Sequence, residues 1–131
     1  LIKRLLNKGY EVLLETNGSL DTTGIDERCI KIIDVKCPSS GESKKNRLKN
    51  LKRLNPLDQI KFVIKTRDDY DFAKKILKTV PEISGNRVLF SPVLKNLKPS
   101  LLAEWILDDG LKARLHLQIH KIVWPDIEKG V

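Results

Sequence analysis

The sequence predicts an α/β fold built on a parallel sheet or barrel. Three observations carry that expectation. Segments with strand character alternate with segments of helical character along the whole chain. Most strand segments are apolar in their middles, as strands covered on both faces are. No internal repeat, low-complexity tract or linker breaks the alternation, so the 131 residues are expected to form one domain, residues 1–131. That length is enough for one ordinary core.

The chain opens on LIKRLLNKG, which reads as the last turns of a helix. YEVLLETNG, Tyr10 to Gly18, is apolar at Val12, Leu13 and Leu14, then turns polar and ends at glycine, a strand leading into a loop. CIKIIDVKC, Cys29 to Cys37, is a second strand, stopped by Pro38. SKKNRLKNLKRLN, Ser43 to Asn55, sets Leu48, Leu51 and Leu54 against a basic side and predicts an amphipathic helix that Pro56 ends. QIKFVIKT, Gln59 to Thr66, is a third strand centred on Val63 and Ile64. DDYDFAKKILKTV, Asp68 to Val80, is a helix with its acids early and its lysines late, as the helix dipole favours. NRVLFSPV, Asn86 to Val93, is a fourth strand, and PSLLAEWILDDG, Pro99 to Gly110, is a helix with proline at its start and glycine past its end.

KARLHLQIHKIVW, Lys112 to Trp124, predicts a fifth strand. Leu115, Leu117 and Ile119 share one face of it, and Arg114, His116, Gln118 and His120 share the other. A strand buried on both sides should not carry four polar groups on one face. That face either meets solvent or lines a polar cavity, which in a barrel is a binding lumen. The five strands are expected near residues 11–17, 30–36, 60–66, 87–92 and 114–121.

Composition narrows the function classes. The chain is 40% hydrophobic and 32% charged, which fits a folded, water-soluble protein rather than a disordered one. No apolar run approaches the roughly 18 residues of a membrane span, and no signal peptide is evident. Cys29 and Cys37 fit neither a disulfide framework nor a zinc spacing, so a reducing, cytoplasmic setting is expected. A net charge of +8 favours anionic partners such as nucleotides, RNA or an acidic protein; the run from Lys44 to Arg53 also reads simply as a solvated basic face. The chain begins at Leu1 rather than at methionine, so an upstream portion of the natural protein is expected.

In α/β folds, ligands bind beyond the C-terminal ends of the strands. Glu15, Thr16 and Asn17 hold that place after the first strand, Cys37, Pro38 and Ser39 after the second, and Ser91 and Pro92 on the fourth. Each has a plainer reading. Cys37 also suits a small buried hydrophobe, Glu15 to Gly18 a turn, His116 and His120 satisfied histidines, and Trp105 and Trp124 packing.

Three motifs, ETNGSLD, DVKCPSSGE and LQIHKIVWP, in that order and spacing, resemble the 7-carboxy-7-deazaguanine synthase family of radical S-adenosylmethionine (SAM) enzymes. The resemblance covers nearly all of this chain but only the C-terminal part of the family's barrel. It implies a partial (β/α) barrel of the radical SAM type with about five parallel strands. It implies a lyase that converts 6-carboxy-5,6,7,8-tetrahydropterin to 7-carboxy-7-deazaguanine with loss of ammonia, in queuosine (a tRNA modification) and 7-deazapurine biosynthesis. SAM, a [4Fe-4S] iron-sulfur cluster and magnesium (Mg2+) are the implied cofactors. A homodimer and an electron donor such as flavodoxin or ferredoxin are the implied partners, with neither a membrane nor direct nucleic-acid binding.

By the same resemblance, SAM contacts fall on Cys37, Pro38 and Ser39, on Gln118, Ile119, His120 and Lys121, and on Glu15, Thr16 and Asn17. Gln118 and His120 are expected to point into the barrel near Cys37. The family's C-x-x-x-C-x-x-C motif does not occur here, so the cluster cysteines and the magnesium ligand are expected upstream of Leu1. No catalytic residue is then assigned within this chain, and alone it is expected to be inactive. Two alternatives stand beside this reading. One is a radical SAM activase that makes a glycyl radical, which ETNG suits. The other is a non-catalytic basic α/β domain that binds RNA or a nucleotide, motivated by the charge.

Overall fold

Five parallel strands lie side by side in chain order in the computed structural model, which describes residues 1–83 and 87–127. They are β1 (Leu13–Thr16), β2 (Ile30–Val35), β3 (Gln59–Ile64), β4 (Val88–Pro92) and β5 (Arg114–Leu115). The α/β class and the five parallel strands stand as predicted. The expected start of the fourth strand at Asn86 lies outside the described residues. Helix α1 (Ile2–Asn7) precedes β1, α2 (Arg67–Leu77) joins β3 to β4, α3 (Pro99–Asp108) joins β4 to β5, and α4 (Ile119–Val123) follows β5.

Local signals explain the long helices. Thr66 caps α2, its hydroxyl accepting the Asp69 backbone N–H while Asp69 answers to the Thr66 N–H. Asp68 and Asp69 sit in the first turn and Lys74 and Lys75 in the last, which complements the dipole. Helix α3 starts on Pro99, and the chain leaves it through Gly110 at φ +56°, a left-handed conformation that glycine takes without penalty.

The core lies on one face of the sheet. Ile33 and Val35 of β2, Ile60, Phe62 and Ile64 of β3, and Val88 and Phe90 of β4 meet Tyr70, Ala73 and Ile76 of α2 and Leu102 and Ile106 of α3. Phe62 and Phe90 pack with ring centroids 5.5 Å apart, and Tyr70 and Phe90 at 5.7 Å. Each such side chain contributes roughly 1.5–3 kcal/mol by leaving water. The Tyr70 hydroxyl is 2.8 Å from both the Trp105 carbonyl and an Asp109 carboxylate oxygen, which fastens α2 to α3.

Two elements differ from the sequence-based expectation. Residues Ser43 to Asn55 do not form an α-helix but two 3₁₀ turns, Ser43–Lys45 and Leu48–Arg53. Leu48, Leu51 and Leu54 recur every third residue, which is the 3₁₀ repeat rather than 3.6. Asn46 and Asn50 also hold this segment to its neighbours. Asn46 bonds both the N–H and the carbonyl of Lys36, and Asn50 donates to the carbonyls of Gly18 and Leu20.

The predicted fifth strand is cut short. It pairs with β4 only at Arg114 and Leu115, the His116 N–H adds one more bond to the Phe90 carbonyl, and the chain is helical from Ile119 to Val123. Ile119, Ile122 and Val123 have helical spacing, a pattern that overlaps the alternation of Leu115, Leu117 and Ile119. The four polar residues expected on one strand face are therefore not on one face. Arg114 and His116 are held in the ladder, Gln118 is the N-cap residue of α4, and His120 lies inside that helix.

Candidate functional site

Strand pairing decides which residues share the sheet's second face. In register, Glu15 lies beside Ile32, Asp34 beside Lys61, Val63 beside Ser91, and Leu89 beside Arg114. These residues alternate with those of the hydrophobic core, so they face away from α2 and α3. One face is thus apolar and helix-covered. The other carries Glu15, Asp34, Lys36, Lys61, Ser91, Arg114 and His116.

Near the C-terminal strand ends this second face forms a cleft of about 170 Å³, lined by Asp34, Lys36, Cys37, Ser39, Ser40, Val63, Lys65 and Val93 among others. Two buried side-chain oxygens beside it have no hydrogen-bond partner among the described residues, Oδ1 of Asp34 and Oγ of Ser91. Buried polar groups are almost always paired, because an unmet one costs about 1–3 kcal/mol. Both oxygens lie on the polar face near the C-terminal strand ends, Asp34 in the cleft lining and Ser91 beside Val63 in the ladder.

The rim is built by local chemistry. Cys37 leads into a 3₁₀ turn, Pro38–Ser40, that closes at Gly41 with φ +72°. The Ser40 hydroxyl donates to the Cys37 carbonyl at 2.7 Å. The Ser39 N–H donates to Asp69, which is wholly buried and also accepts from the Lys65 N–H. Cys37 belongs to the hydrophobic core as well as to the cleft lining. Burial first, then the nearby Asp69 and Asp34 carboxylates, push its thiol up to about 12. The thiol is therefore protonated at neutral pH, and the residue serves the core and the cleft wall at once.

Across the middle of the face, Lys61 reaches over β2 to Glu15, Nζ to Oε1 at 2.7 Å. His116 lies close enough for its imidazole to be held below the ordinary value, by burial first and then by the charges of Lys61 and Arg114. Asp34 pairs with Lys36 at 2.7 Å through Oδ2, leaving Oδ1 without a partner.

Of the predicted residues the cleft brings together Cys37 and Ser39; Ser91 lies beside Val63 in the ladder, and Glu15 and Thr16 end β1 on the far side of β2, with Asn17 just after. Asn17 and Thr16 spend their side chains on the local turn, accepting from Ser19 and Gly18. Gln118 and His120 are not among the residues that line this cleft, and the strand expected to carry them ends at Leu115, with Gln118 at the start of α4 and His120 within it. Sequence reasoning passed over Asp34, Lys36, Lys61 and Lys65. Their signal was present: charged residues inside apolar strands at a period of two, which is one face of a strand.

A parallel α/β sheet with helices on one face and a charged, partly open second face defines the class: an α/β protein with a polar cleft at its strand ends. No protein-family model matches the chain. It is 40% identical over 143 residues to a 7-carboxy-7-deazaguanine synthase of Koribacter versatilis (strain Ellin345), covering 99% of the chain and 63% of that relative. It is 37% identical over 134 residues to the synthase of Chlorobaculum tepidum, covering 61% of it, and 42% identical over 125 residues to that of Leptospira interrogans, covering 50%. The chain is similar along nearly its whole length to 7-carboxy-7-deazaguanine synthases, and it spans between half and two thirds of the length of these relatives. The family read from the three motifs is the family of these proteins.

Proposed function

We propose that this chain forms the C-terminal part of a radical SAM 7-carboxy-7-deazaguanine synthase, a lyase acting on 6-carboxy-5,6,7,8-tetrahydropterin. The observation that carries the proposal is sequence identity to proteins of that name along nearly the whole chain, combined with a polar sheet face that holds two orphaned buried oxygens. The residues present suit SAM. A ribose diol and an amino-acid head offer both donors and acceptors, and Asp34, the Ser39–Ser40 turn and Lys36 of the cleft supply the complements. When bound, SAM would supply the radical chemistry. The part assigned to this chain is to orient the ligands and to exclude water.

Cys37, Pro38 and Ser39 are assigned to SAM, as are Gln118, Ile119, His120 and Lys121, which follow the same end of β5. Glu15, Thr16 and Asn17 are assigned to the same ligand space from β1. The residues do not suit the cluster or magnesium. Cys29 and Cys37 are both buried, and no group of three or more metal-binding side chains converges among the described residues. In the proposal those ligands belong to the part of the relatives this chain does not span. The intact protein would act as a cytoplasmic homodimer served by flavodoxin or ferredoxin.

The test uses intact protein, reconstituted anaerobically with iron and sulfide and supplied with SAM, magnesium and a reductant. Conversion of the tetrahydropterin to 7-carboxy-7-deazaguanine, read by mass spectrometry, is the expected result. A protein that carries its cluster and cleaves SAM but leaves the pterin untouched would contradict the assignment.

A further inference from the structure

The sheet holds two buried lysine ion pairs, and they differ in kind. Lys31 pairs with Asp58 at 3.0 Å with both side chains almost fully buried. Asp58 is further satisfied by the backbone N–H groups of Lys31 and Asn55, so that pair is closed and structural. Lys61 pairs with Glu15 at 2.7 Å, but only the lysine is buried; its side chain is 9% exposed and that of Glu15 52%. Glu15 has no other side-chain hydrogen bond among the described residues, so Lys61 engages Oε1 alone. A lysine in the middle of a buried strand costs desolvation that an apolar residue would avoid.

We propose that Lys61 is a positioning residue that holds the Glu15 carboxylate in the ligand space of the polar face. It reaches across β2 from the centre of the sheet and fixes one Glu15 oxygen, leaving the other for the ligand. The inference rests on the reading that this face binds the pterin and SAM. It adds a residue that none of the three motifs contains. The charged groups facing His116 from β1, β3 and β5 are Glu15, Lys61 and Arg114, so His116 reports on the Lys61 charge.

The experiment titrates intact protein with 6-carboxypterin by calorimetry and follows His116 by NMR. Wild type binds. Lys61→Met and Glu15→Gln each weaken binding by about tenfold or more, and the double variant is no weaker than about threefold below the worse single, because the two act as one unit. Lys61→Arg returns to within about threefold of wild type. His116 titrates at higher pH in Lys61→Met than in wild type or Lys61→Arg. If Lys61→Met does not fold, Lys61→Gln takes its place. Independent, additive losses, or unchanged binding in both single variants, would overturn the role of Lys61 while leaving the functional reading intact. A wild-type protein that does not bind 6-carboxypterin would overturn both.

Discussion

The Asp69 carboxylate accepts the Ser39 backbone N–H at 2.9 Å, tying the turn after β2 to the first turn of α2. Its other oxygen accepts from Lys65 and Thr66, so one wholly buried side chain organises two strand ends. Asp69→Ala would strand three backbone donors. It should lower the stability of the intact protein by about 2–4 kcal/mol, as loss of buried, charge-assisted bonds does. Urea unfolding gives the number, and an unchanged midpoint would show that water replaces Asp69 without cost.

Gly18 ends the ETNG turn at φ +67°, and a Cβ there would sit 2.8 Å from Ile33 Cγ2 in the core. Strain and overlap act together, so Gly18→Ala should cost about 1–3 kcal/mol. Thermal unfolding checks this. A variant as stable as wild type would mean that the loop after β1 is freer than its geometry implies.

Cys37 is buried, and its thiol is pushed up to about 12. The thiolate is the reactive form, so Cys37 should resist iodoacetamide in folded protein near pH 8 and react once urea unfolds the chain. Mass spectrometry after timed labelling reads the site. Rapid labelling of the folded protein would place the sulfur in the cleft instead of the core.

His116 titrates below its ordinary value of 6.5 in the folded state. Between the two values the unfolded chain binds more protons. The stability linked to His116 is therefore complete above the unfolded value and is lost as pH falls through it toward the folded one. Wild type should lose more stability between about pH 7.5 and about pH 5.5 than His116→Gln does. Equal losses in matched urea titrations would remove His116 from the account.

The alternation of elements was legible because the strands and the two long helices follow their own periods. Pro99 with Gly110, and the early acids and late lysines of the helix after β3, announced helices that the structure keeps. The stretch from Ser43 to Asn55 was misread because leucines three apart satisfy a helical stripe and a 3₁₀ turn alike. Asn46 and Asn50 decide between them by bonds to Lys36, Gly18 and Leu20, contacts no local pattern shows. The end of β5 was misread because two apolar periods overlap at Ile119. The strand-end turn at Cys37 was legible, but the polar face beside it was not. Lys61 and Asp34 become a site only when strand pairing sets them side by side.

The central claim is that the polar face at the strand ends binds the ligands, and Ser91 tests it most directly. Its Oγ is buried with no partner among the described residues. Ser91→Ala removes an unpaired hydroxyl, so ligand-free protein should be no less stable. If the hydroxyl meets a ligand, SAM or 6-carboxypterin affinity should fall by about 1–3 kcal/mol, roughly 5- to 150-fold. Calorimetric titration of intact wild type and Ser91→Ala with each ligand, beside thermal unfolding of both without ligand, is the measurement. Weaker binding of at least one ligand at equal or higher melting temperature is the predicted result. Unchanged affinity for both ligands with a lowered melting temperature would contradict it, and would make this face ordinary packing.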